Sequence, residues 1–322
     1  MLLFCYLCSR ISVRRNKHTI CILGTQLLLD IMKYISTEEL NKLIAQWFKE
    51  DIGDGDHTSL SCIPETAMGC QQLIIKEEGI LAGVEVAEHV IHYFDPDLRI
   101  ESFIKDGAHV VPGDIAFRVY GKVLSLLQVE RTMLNIMQRM SGIATTANRY
   151  QSLIADTGCR VLDTRKTTPG LRLLEKEAVA IGGGTNHRIG LFDMILLKDN
   201  HVDFAGGITA AITRAQDYCK QNNKDLRIEI EVRNENEIRE ALATNGADRI
   251  MLDNFTPERT RKAVEIIRLW EKQNGRHIEI ESSGGITIQT IRDYAVTGVD
   301  FVSVGALTHS VKSLDMSFKA VK

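Results

Sequence analysis

The sequence lacks an excess of charge of one sign, and it lacks a long acidic or basic tail. Its 322 residues carry a formal net charge of −3, with 25% charged and 44% apolar residues. A nucleic-acid-binding protein usually shows a basic excess, which is absent here. This composition is that of an ordinary globular protein, so an anionic ligand must be met by local positive charge. We expect a small-molecule ligand, no nucleic-acid partner and no membrane partner.

The sequence also lacks a regular cysteine framework. Its seven cysteines are odd in number and irregularly spaced, so disulfides are disfavoured and a reducing, cytoplasmic location is expected. Cys5 and Cys8 form a single C-x-x-C motif, but no second pair completes a zinc site. We therefore favour the interpretation that Cys5 and Cys8 are ordinary apolar residues and not metal ligands.

The first 31 residues form an extension with no acidic residue before Asp30 and four cationic ones at its centre, Arg10, Arg14, Arg15 and Lys17. The apolar runs on either side are shorter than the ~18 residues that a membrane helix needs. The order of charged and apolar segments does not fit a secretory signal, whereas a transit peptide has this acid-poor, arginine-bearing composition. An upstream start codon, with Met32 as the working start, is the favoured alternative because the globular pattern begins immediately afterwards.

Residues 32–140 are predicted to form a smaller mixed α/β domain. Ser36 and Glu39 have the spacing of a helix capping box, and apolar residues follow at helical spacing. From about residue 70 to residue 120 the pattern predicts short strands with glycine turns, at Gly107 and Gly113 among others. A long helical segment is predicted over residues 125–155.

Residues 141–310 alternate apolar strands with helices, which is typical of a parallel sheet closed into a barrel. The predicted strands span residues 161–166, 194–200, 227–232, 249–254, 278–285 and 301–307, and the clearest helices span 205–221 and 257–273. Residues 311–322 are expected to form a separate C-terminal segment. Nearly every predicted strand ends in polar residues or glycine. Active sites of parallel barrels lie at these ends, so the sequence predicts one site there.

The cations at these strand ends and on neighbouring segments are typical of a site for a substrate with several carboxylates or phosphates. They are Arg131, Arg165, Lys166, His187, Arg188 and Lys198. Each residue taken alone could form a surface salt bridge, but their placement as a set favours a site.

Acidic residues and glycines complete the pattern. Glu229 and Glu231 lie two residues apart and so on one face of a strand, and Asp253 ends the next strand. Such carboxylates can bind Mg²⁺ or ribose hydroxyls. For Glu229 the alternative to a functional role is a structural one, in which it forms an ion pair with a lysine inside the barrel. Gly284, Gly285 and Gly305 follow the last two strands, the usual phosphate position of barrel enzymes.

These residues lie in motifs that resemble the quinolinate phosphoribosyltransferase family. The motifs are EDIGDGDHTS (50–59), KEEGILAG (76–83), ERTMLN (130–135), SGIAT (141–145), DTRKTTPGLR (163–172), GGGTNHR (182–188), LLKDNH (196–201), EIEV (229–232), LDNF (252–255), ESSGGI (281–286) and GVDFVSVGALTHS (298–310). The resemblance implies an atypical TIM-like α/β barrel with a smaller N-terminal mixed α/β domain. It also implies transfer of phosphoribosyl from phosphoribosyl pyrophosphate to quinolinate, with loss of CO₂.

The resemblance implies a role for each matching residue. The expected quinolinate-binding residues are Arg131, Arg165, Lys166, His187, Arg188 and Lys198. The expected phosphoribosyl pyrophosphate-binding residues are Glu231, Asp253, Ser283, Gly284, Gly285, Gly305 and His309. Lys166, Lys198, Glu231 and Asp253 are the expected catalytic residues, with Mg²⁺ on Glu231 and Asp253, in part through water. Arg131 is expected to reach the active site of a neighbouring subunit, which implies a homodimer or an assembly of dimers.

Three alternatives remain at this point. A related phosphoribosyltransferase could act on nicotinate or another heterocycle, but a monocarboxylate needs fewer cations than this sequence offers. A non-biosynthetic relative linked to metal uptake would share the fold, and a non-enzymatic binding or carrier protein would turn over no phosphoribosyl donor.

Overall fold

The computed structural model describes residues 35–321, so the hypotheses for residues 1–31 and for Cys5 and Cys8 lie outside the described residues. The described chain contains an antiparallel sheet, mainly from its N-terminal part, and a parallel sheet from its C-terminal part. This arrangement confirms the predicted α/β fold class. No helix in residues 35–321 is long and apolar enough to cross a membrane.

The N-terminal part begins with two helices and then forms the antiparallel sheet. Its elements are α1 (Thr37–Ile52), α2 (His57–Cys62), β1 (Met68–Ile75), β2 (Gly79–Ile80), α3 (Val84–Phe94), β3 (Arg99–Ser102), β4 (His109–Val110), β5 (Ile115–Lys122) and α4 (Val123–Ser152). The last strand of the chain, β12 (Met316–Ala320), returns to this sheet, whose order is β12-β1-β5-β3. The C-terminal segment therefore packs with the first part of the chain.

The first helix begins as the sequence predicted. Ser36 is the N-cap of α1, its Oγ accepts from the N–H of Glu39 (3.2 Å), and the Glu39 carboxylate accepts from the Ser36 N–H (3.2 Å). Leu40, Ile44 and Phe48 then bury one face of the helix. The capping box is confirmed.

One helix lies where strands and turns were expected. Residues 84–94 form α3, which buries Val84, Ala87, Val90 and Ile91 along one side. Its valine and isoleucine content is typical of strands, but the spacing of its apolar residues is helical, and burial against the core decides the outcome. The long helix predicted over residues 125–155 is present as α4.

The C-terminal part contains six parallel strands, one at each predicted place. Its elements are β6 (Arg160–Leu162), α5 (Arg172–Ile181), β7 (Ile195–Leu197), α6 (Asp199–Ala205), α7 (Ile208–Gln221), β8 (Ile228–Val232), α8 (Glu235–Thr244), β9 (Arg249–Asp253), α9 (Pro257–Asn274), β10 (Glu279–Ser283), α10 (Ile291–Ala295), β11 (Phe301–Ser303) and α11 (Ala306–His309). The helix predicted over residues 205–221 is interrupted at Gly206 and Gly207, which have φ of 90° and 119°.

The parallel sheet has the order β7-β8-β9-β10-β11-β6, so β6, the first of the parallel strands along the chain, lies beside β11, the last of them. Within residues 35–321 no strand pairing joins β6 to β7, and the ring is therefore not closed by strands alone. The loop of residues 182–188 occupies the β6 side of this gap. Thr185 N–H donates to Val161 O (2.9 Å), and Asp163 N–H donates to Thr185 O (3.1 Å). The open place in the barrel is thus partly filled by the loop that carries His187 and Arg188.

Candidate active site

A cavity of about 730 Å³ lies at the carboxyl ends of the parallel strands. It is lined by most of the residues that the sequence nominated: Arg165, Lys166, His187, Arg188, Lys198, Glu231, Asp253, Ser283, Gly284, Gly285, Gly305 and His309. The structure therefore brings together twelve of the thirteen predicted residues, and Arg131 is the exception.

The cationic side of the cavity consists of Arg165, His187 and Arg188. Among the described residues, the buried Nε of Arg165 has no hydrogen-bond partner. Burial lowers the pKa of Arg188, and the neighbouring positive charge of Arg165 lowers it further. Two guanidinium groups that repel each other, one with an unsatisfied buried donor, form a site that an anion would stabilise.

A buried ion pair holds the loop that places these cations. Asp163 Oδ1 accepts from Lys176 Nζ (2.6 Å) and from the backbone N–H of His187 (2.8 Å), while its Oδ2 accepts from Asn186 Nδ2 (2.7 Å). Lys176 Nζ also donates to His187 O (3.1 Å). Both partners of the pair are 0% exposed. The backbone of His187 is therefore held from both sides by one buried ion pair.

His187 lies below the surface of the cavity, with both ring nitrogens in contact with protein. Its Nε2 lies 3.0 Å from Glu229 Oε2 and 3.3 Å from Glu281 Oε2, and its Nδ1 accepts from the Arg188 N–H (2.7 Å). Burial alone would lower the pKa of His187, but the two carboxylates raise it to about 9. The Arg188 contact opposes a second proton because it requires a lone pair on Nδ1. The ring proton therefore lies on Nε2, facing the carboxylates.

The carboxylate–glycine side consists of Glu231, Asp253, Gly284, Gly285 and Gly305. Burial raises the pKa of Glu231, the Asp253 carboxylate raises it further, and Lys198 acts in the opposite direction. Two carboxylates at the ends of neighbouring strands thus repel each other while facing an open cavity. Hard oxygen ligands on one side of a solvent-accessible space fit a hydrated Mg²⁺ ion.

The glycines of this side allow close approach of the backbone. Gly284 has φ of 103° and Gly285 has φ of 61°, conformations that side chains rarely adopt. A Cβ at Gly284 would collide with Asn254 Oδ1 and lie 2.9 Å from Asn254 N. The backbone N–H groups of the two glycines donate to no acceptor in residues 35–321. They are thus available to an anion in the cavity.

The two lysines of the predicted site lie at different places on the rim. Lys166 lies beside Gly305, where a Cβ would lie 3.1 Å from Lys166 Cδ and 3.0 Å from the His309 ring. Lys198 is exposed at the start of α6 and acts on the Glu231 carboxylate. Lys166 therefore reaches the carboxylate–glycine side rather than lying only beside the arginines.

Four buried residues that support the site were not nominated as site residues: Asp163, Lys176, Arg249 and Glu281. If Glu229 had a structural role, the sequence predicted that it would form an ion pair with a lysine. The prediction of a lysine partner is wrong, because Glu229 lies against His187 (3.0 Å) and Arg249 (3.8 Å). The sequence gave a partial signal, since Glu229, Arg249 and Glu281 are charged residues next to apolar ones in strands with buried centres. Lys176 gave no such signal, because α5 carries three adjacent charged residues.

Arg131 does not line this cavity and is exposed on α4. The site of one chain thus contains Arg165 and Arg188 but not the third predicted arginine.

Comparisons with known proteins identify the family to which the chain belongs. The family models described as quinolinate phosphoribosyl transferase, N-terminal domain and C-terminal domain, match residues 56–141 and residues 143–319. The chain is 42% identical over 292 residues to the chloroplastic nicotinate-nucleotide pyrophosphorylase (carboxylating) of Arabidopsis thaliana, covering 88% of this chain and 83% of that protein. It is 40% identical over 292 residues to the mitochondrial quinolinate phosphoribosyltransferase (decarboxylating) 2b of Nicotiana tabacum, covering 88% and 82%.

A solved structure gives the same result in three dimensions. The nicotinate-nucleotide pyrophosphorylase of Francisella tularensis matches with a TM-score of 0.81 and 38% identity, over 91% of this chain and all of that one. Two family models together span most of the chain, and the match covers more than four fifths of each of the two relatives. This chain belongs to the quinolinate phosphoribosyltransferase family.

Proposed function

We propose that this protein transfers the phosphoribosyl group of phosphoribosyl pyrophosphate to quinolinate, giving nicotinate mononucleotide, CO₂ and pyrophosphate. The observation that carries the proposal is the division of one cavity into a cationic side and a carboxylate–glycine side. A planar dicarboxylate matches the first, and a ribose with phosphate groups matches the second.

The reaction needs no protein nucleophile, because the quinolinate nitrogen attacks the anomeric carbon as pyrophosphate leaves. The protein holds the two substrates in attack geometry, which can contribute ~7–11 kcal/mol. Glu231 and Asp253 face the developing positive charge of the ribose. In the proposed pose, Arg165 and Arg188 bind the two carboxylates, with Lys166 and Lys198 at the rim. After alkylation the ring is cationic, the adjacent carboxylate leaves as CO₂, and the ring carbon then takes up a proton.

Mg²⁺ is part of this proposal, with Glu231 and Asp253 as its protein ligands, in part through water. When bound, it would neutralise charge on the donor and the departing diphosphate. We expect Asp253→Asn to weaken Mn²⁺ binding, measured by electron paramagnetic resonance on the substrate-free protein. Unchanged Mn²⁺ affinity in this variant would remove Asp253 from the metal site.

A homodimer is also part of the proposal. Arg131 is exposed on α4, and the exposed Leu191 and Phe192 follow the loop that carries Arg188, which supports a subunit contact near the site. Arg131→Ala and Arg165→Ala chains, each expected to be strongly impaired alone at low quinolinate concentration, should regain activity when mixed, because one hybrid site then carries both arginines. Failure to recover activity in a mixture that forms hybrid dimers would place Arg131 outside the partner's site. Location in the cytoplasm stays a prediction.

The deciding experiment is a turnover assay with quinolinate, phosphoribosyl pyrophosphate and Mg²⁺, with nicotinate as a parallel substrate. Nicotinate mononucleotide and CO₂ from quinolinate, with no product from nicotinate, would support the proposal. Turnover of nicotinate alone would overturn the substrate assignment. Turnover of neither would favour the non-biosynthetic relative or the binding protein.

A further inference from the structure

A cluster of four charged or titratable side chains lies at the floor of the cavity, where His187 and Glu281 contribute to its lining. The reaction described above assigns no role to three of the four, Arg249, Glu229 and Glu281. The buried cluster consists of His187, Arg249, Glu229 and Glu281, and both glutamates are 0% exposed. Arg249 Nη1 lies 3.1 Å from Glu281 Oε2 and 3.8 Å from Glu229 Oε2. The fold thus places two buried carboxyl groups under the cationic side of the site, and burial and the charge of Glu281 raise the pKa of Glu229 to about 7.

The register of the sheet builds this cluster. Glu229 on β8 and Arg249 on β9 are direct partners across neighbouring parallel strands, and Arg249 is likewise the partner of Glu279 on β10. Glu281 lies two residues beyond Glu279 and so on the same face. Arg249 donates to Glu279 through Nε (2.9 Å), so its positive charge is shared with a carboxylate at the outer edge of the cluster.

Hydrogen bonding in the cluster is incomplete even with His187 in place, because His187 Nε2 lies 3.0 Å and 3.3 Å from the two carboxylates without a hydrogen bond of good geometry to either. Among the described residues, neither carboxylate oxygen of Glu229 has a hydrogen bond of good geometry, and Glu281 Oε1 has none either. Buried charges of this kind rarely stabilise a fold more than apolar side chains of similar volume would. The placement of the two glutamates is therefore better explained by their contacts with His187 than by a contribution to the stability of the fold.

His187 connects the cluster to the substrate-binding arginine. Its Nε2 faces both carboxylates, and its Nδ1 accepts from the backbone N–H of Arg188, whose guanidinium lines the cavity. A change in the carboxylates would free the imidazole to turn, and the turn would release the Arg188 N–H. The contacts thus run from the carboxylates through one ring to the backbone of Arg188.

We propose that Glu229 and Glu281 are positioning residues for quinolinate, which hold the His187 ring and through it fix Arg188 toward the cavity. The inference rests on the proposed function, because it concerns the quinolinate side of that site. It assigns no contact between either glutamate and the substrate. The phosphoribosyl pyrophosphate side contains neither of the contacts involved, so the effect is confined to one substrate.

The test uses Glu229→Gln and Glu281→Gln, which keep the shape of the side chain and remove its charge. We expect KM for quinolinate to rise roughly 10- to 100-fold, as is usual when a residue that orients a ligand-binding group is changed. KM for phosphoribosyl pyrophosphate should change less than about twofold, since its side of the cavity is untouched. Glu281→Asp, which keeps the charge, should restore part of the loss.

Glu279→Gln is the matched control, because Glu279 contacts Arg249 from the outer side and does not touch His187. It should leave KM for quinolinate nearly unchanged. A rise of both KM values together in the Gln variants, or an equal effect of Glu279→Gln, would overturn the proposal and leave a structural role. Absence of quinolinate turnover in the unmodified protein would instead overturn the proposed function.

A bound divalent cation is the competing account of the cluster, since ligand atoms of His187, Glu229 and Glu281 lie within 4.8 Å of one another. Arg249 already supplies a positive charge there, which favours ion pairs over a metal. Elemental analysis of the purified protein decides between them. One tightly held metal per chain that is lost in Glu281→Gln would overturn the positioning role, and no metal at that stoichiometry supports it.

Discussion

The two sides of the cavity are built by different physical means. The cationic side rests on buried charges, with the Asp163–Lys176 pair holding the backbone of His187 and a second cluster holding its ring. The carboxylate–glycine side rests on strand ends and on two successive glycines in left-handed conformations. One side therefore depends on electrostatics inside the protein, and the other depends on backbone geometry.

The difference follows from the ligands that each side is proposed to bind. Flexible arginines that repel each other need a rigid support to present charge in one direction, and buried ion pairs give such support at a cost in desolvation. Phosphate groups can be bound by backbone N–H groups, which need only a conformation that glycine permits. Changes in buried charge should therefore affect quinolinate, and changes in backbone freedom should affect the phosphoribosyl donor.

The largest effect is expected from Asp163→Asn, which leaves the buried Lys176 ammonium without its counter-charge. Removing one partner of a buried ion pair costs about 3–5 kcal/mol of stability, measured as the free energy of unfolding in urea. Asp156→Asn is the control, because Asp156 and Arg292 form a pair that is 68% and 52% exposed. Such a surface pair contributes at most about 1 kcal/mol. Equal losses in the two variants would show that the cationic side does not depend on buried charge.

The second effect is expected from Arg165→Ala, which removes the guanidinium with the unsatisfied Nε. We expect quinolinate binding to weaken by about 2–3 kcal/mol, roughly 30- to 150-fold in KM, while binding of phosphoribosyl pyrophosphate changes little. Arg160→Ala is the control, since Arg160 is exposed at the opposite end of the same strand segment. Equal weakening of both substrates would assign Arg165 a role different from the one proposed.

Much of the carboxylate–glycine side could be predicted from the sequence, because its residues follow directly from strand ends. Each predicted strand lies where alternation and apolar runs placed it, and Asp253, Gly284 and Gly305 come at or just after the ends of three of them. The carboxyl ends of parallel strands share one edge of a sheet, so local pattern alone brings these residues together. The helix α3 was missed because β-branched residues hid its helical spacing.

The support of the cationic side could not be predicted in the same way. The Lys176 contact to Asp163 and the His187 contact to Glu281 join residues 13 and 94 positions apart along the chain. Their partners are fixed by the position of the loop at the β6 edge of the sheet, which no local pattern encodes. A charged residue inside an apolar strand predicts that it has a buried partner of opposite charge, but the local sequence does not identify that partner.

The smallest effect is expected from Gly284→Ala, on the other side of the cavity. A Cβ there meets Asn254, and φ of 103° is strained for alanine, so the loop should shift. Strain of this kind costs about 1–2 kcal/mol, and we expect roughly a 5- to 30-fold rise in KM for phosphoribosyl pyrophosphate with little change for quinolinate. Gly113→Ala is the matched control, because Gly113 has φ of 99° in a turn outside the cavity. It should lower stability without changing either KM. A rise in KM for quinolinate in Gly284→Ala would show that the two sides are mechanically coupled, and the division of the cavity into an electrostatic side and a backbone side would then be wrong.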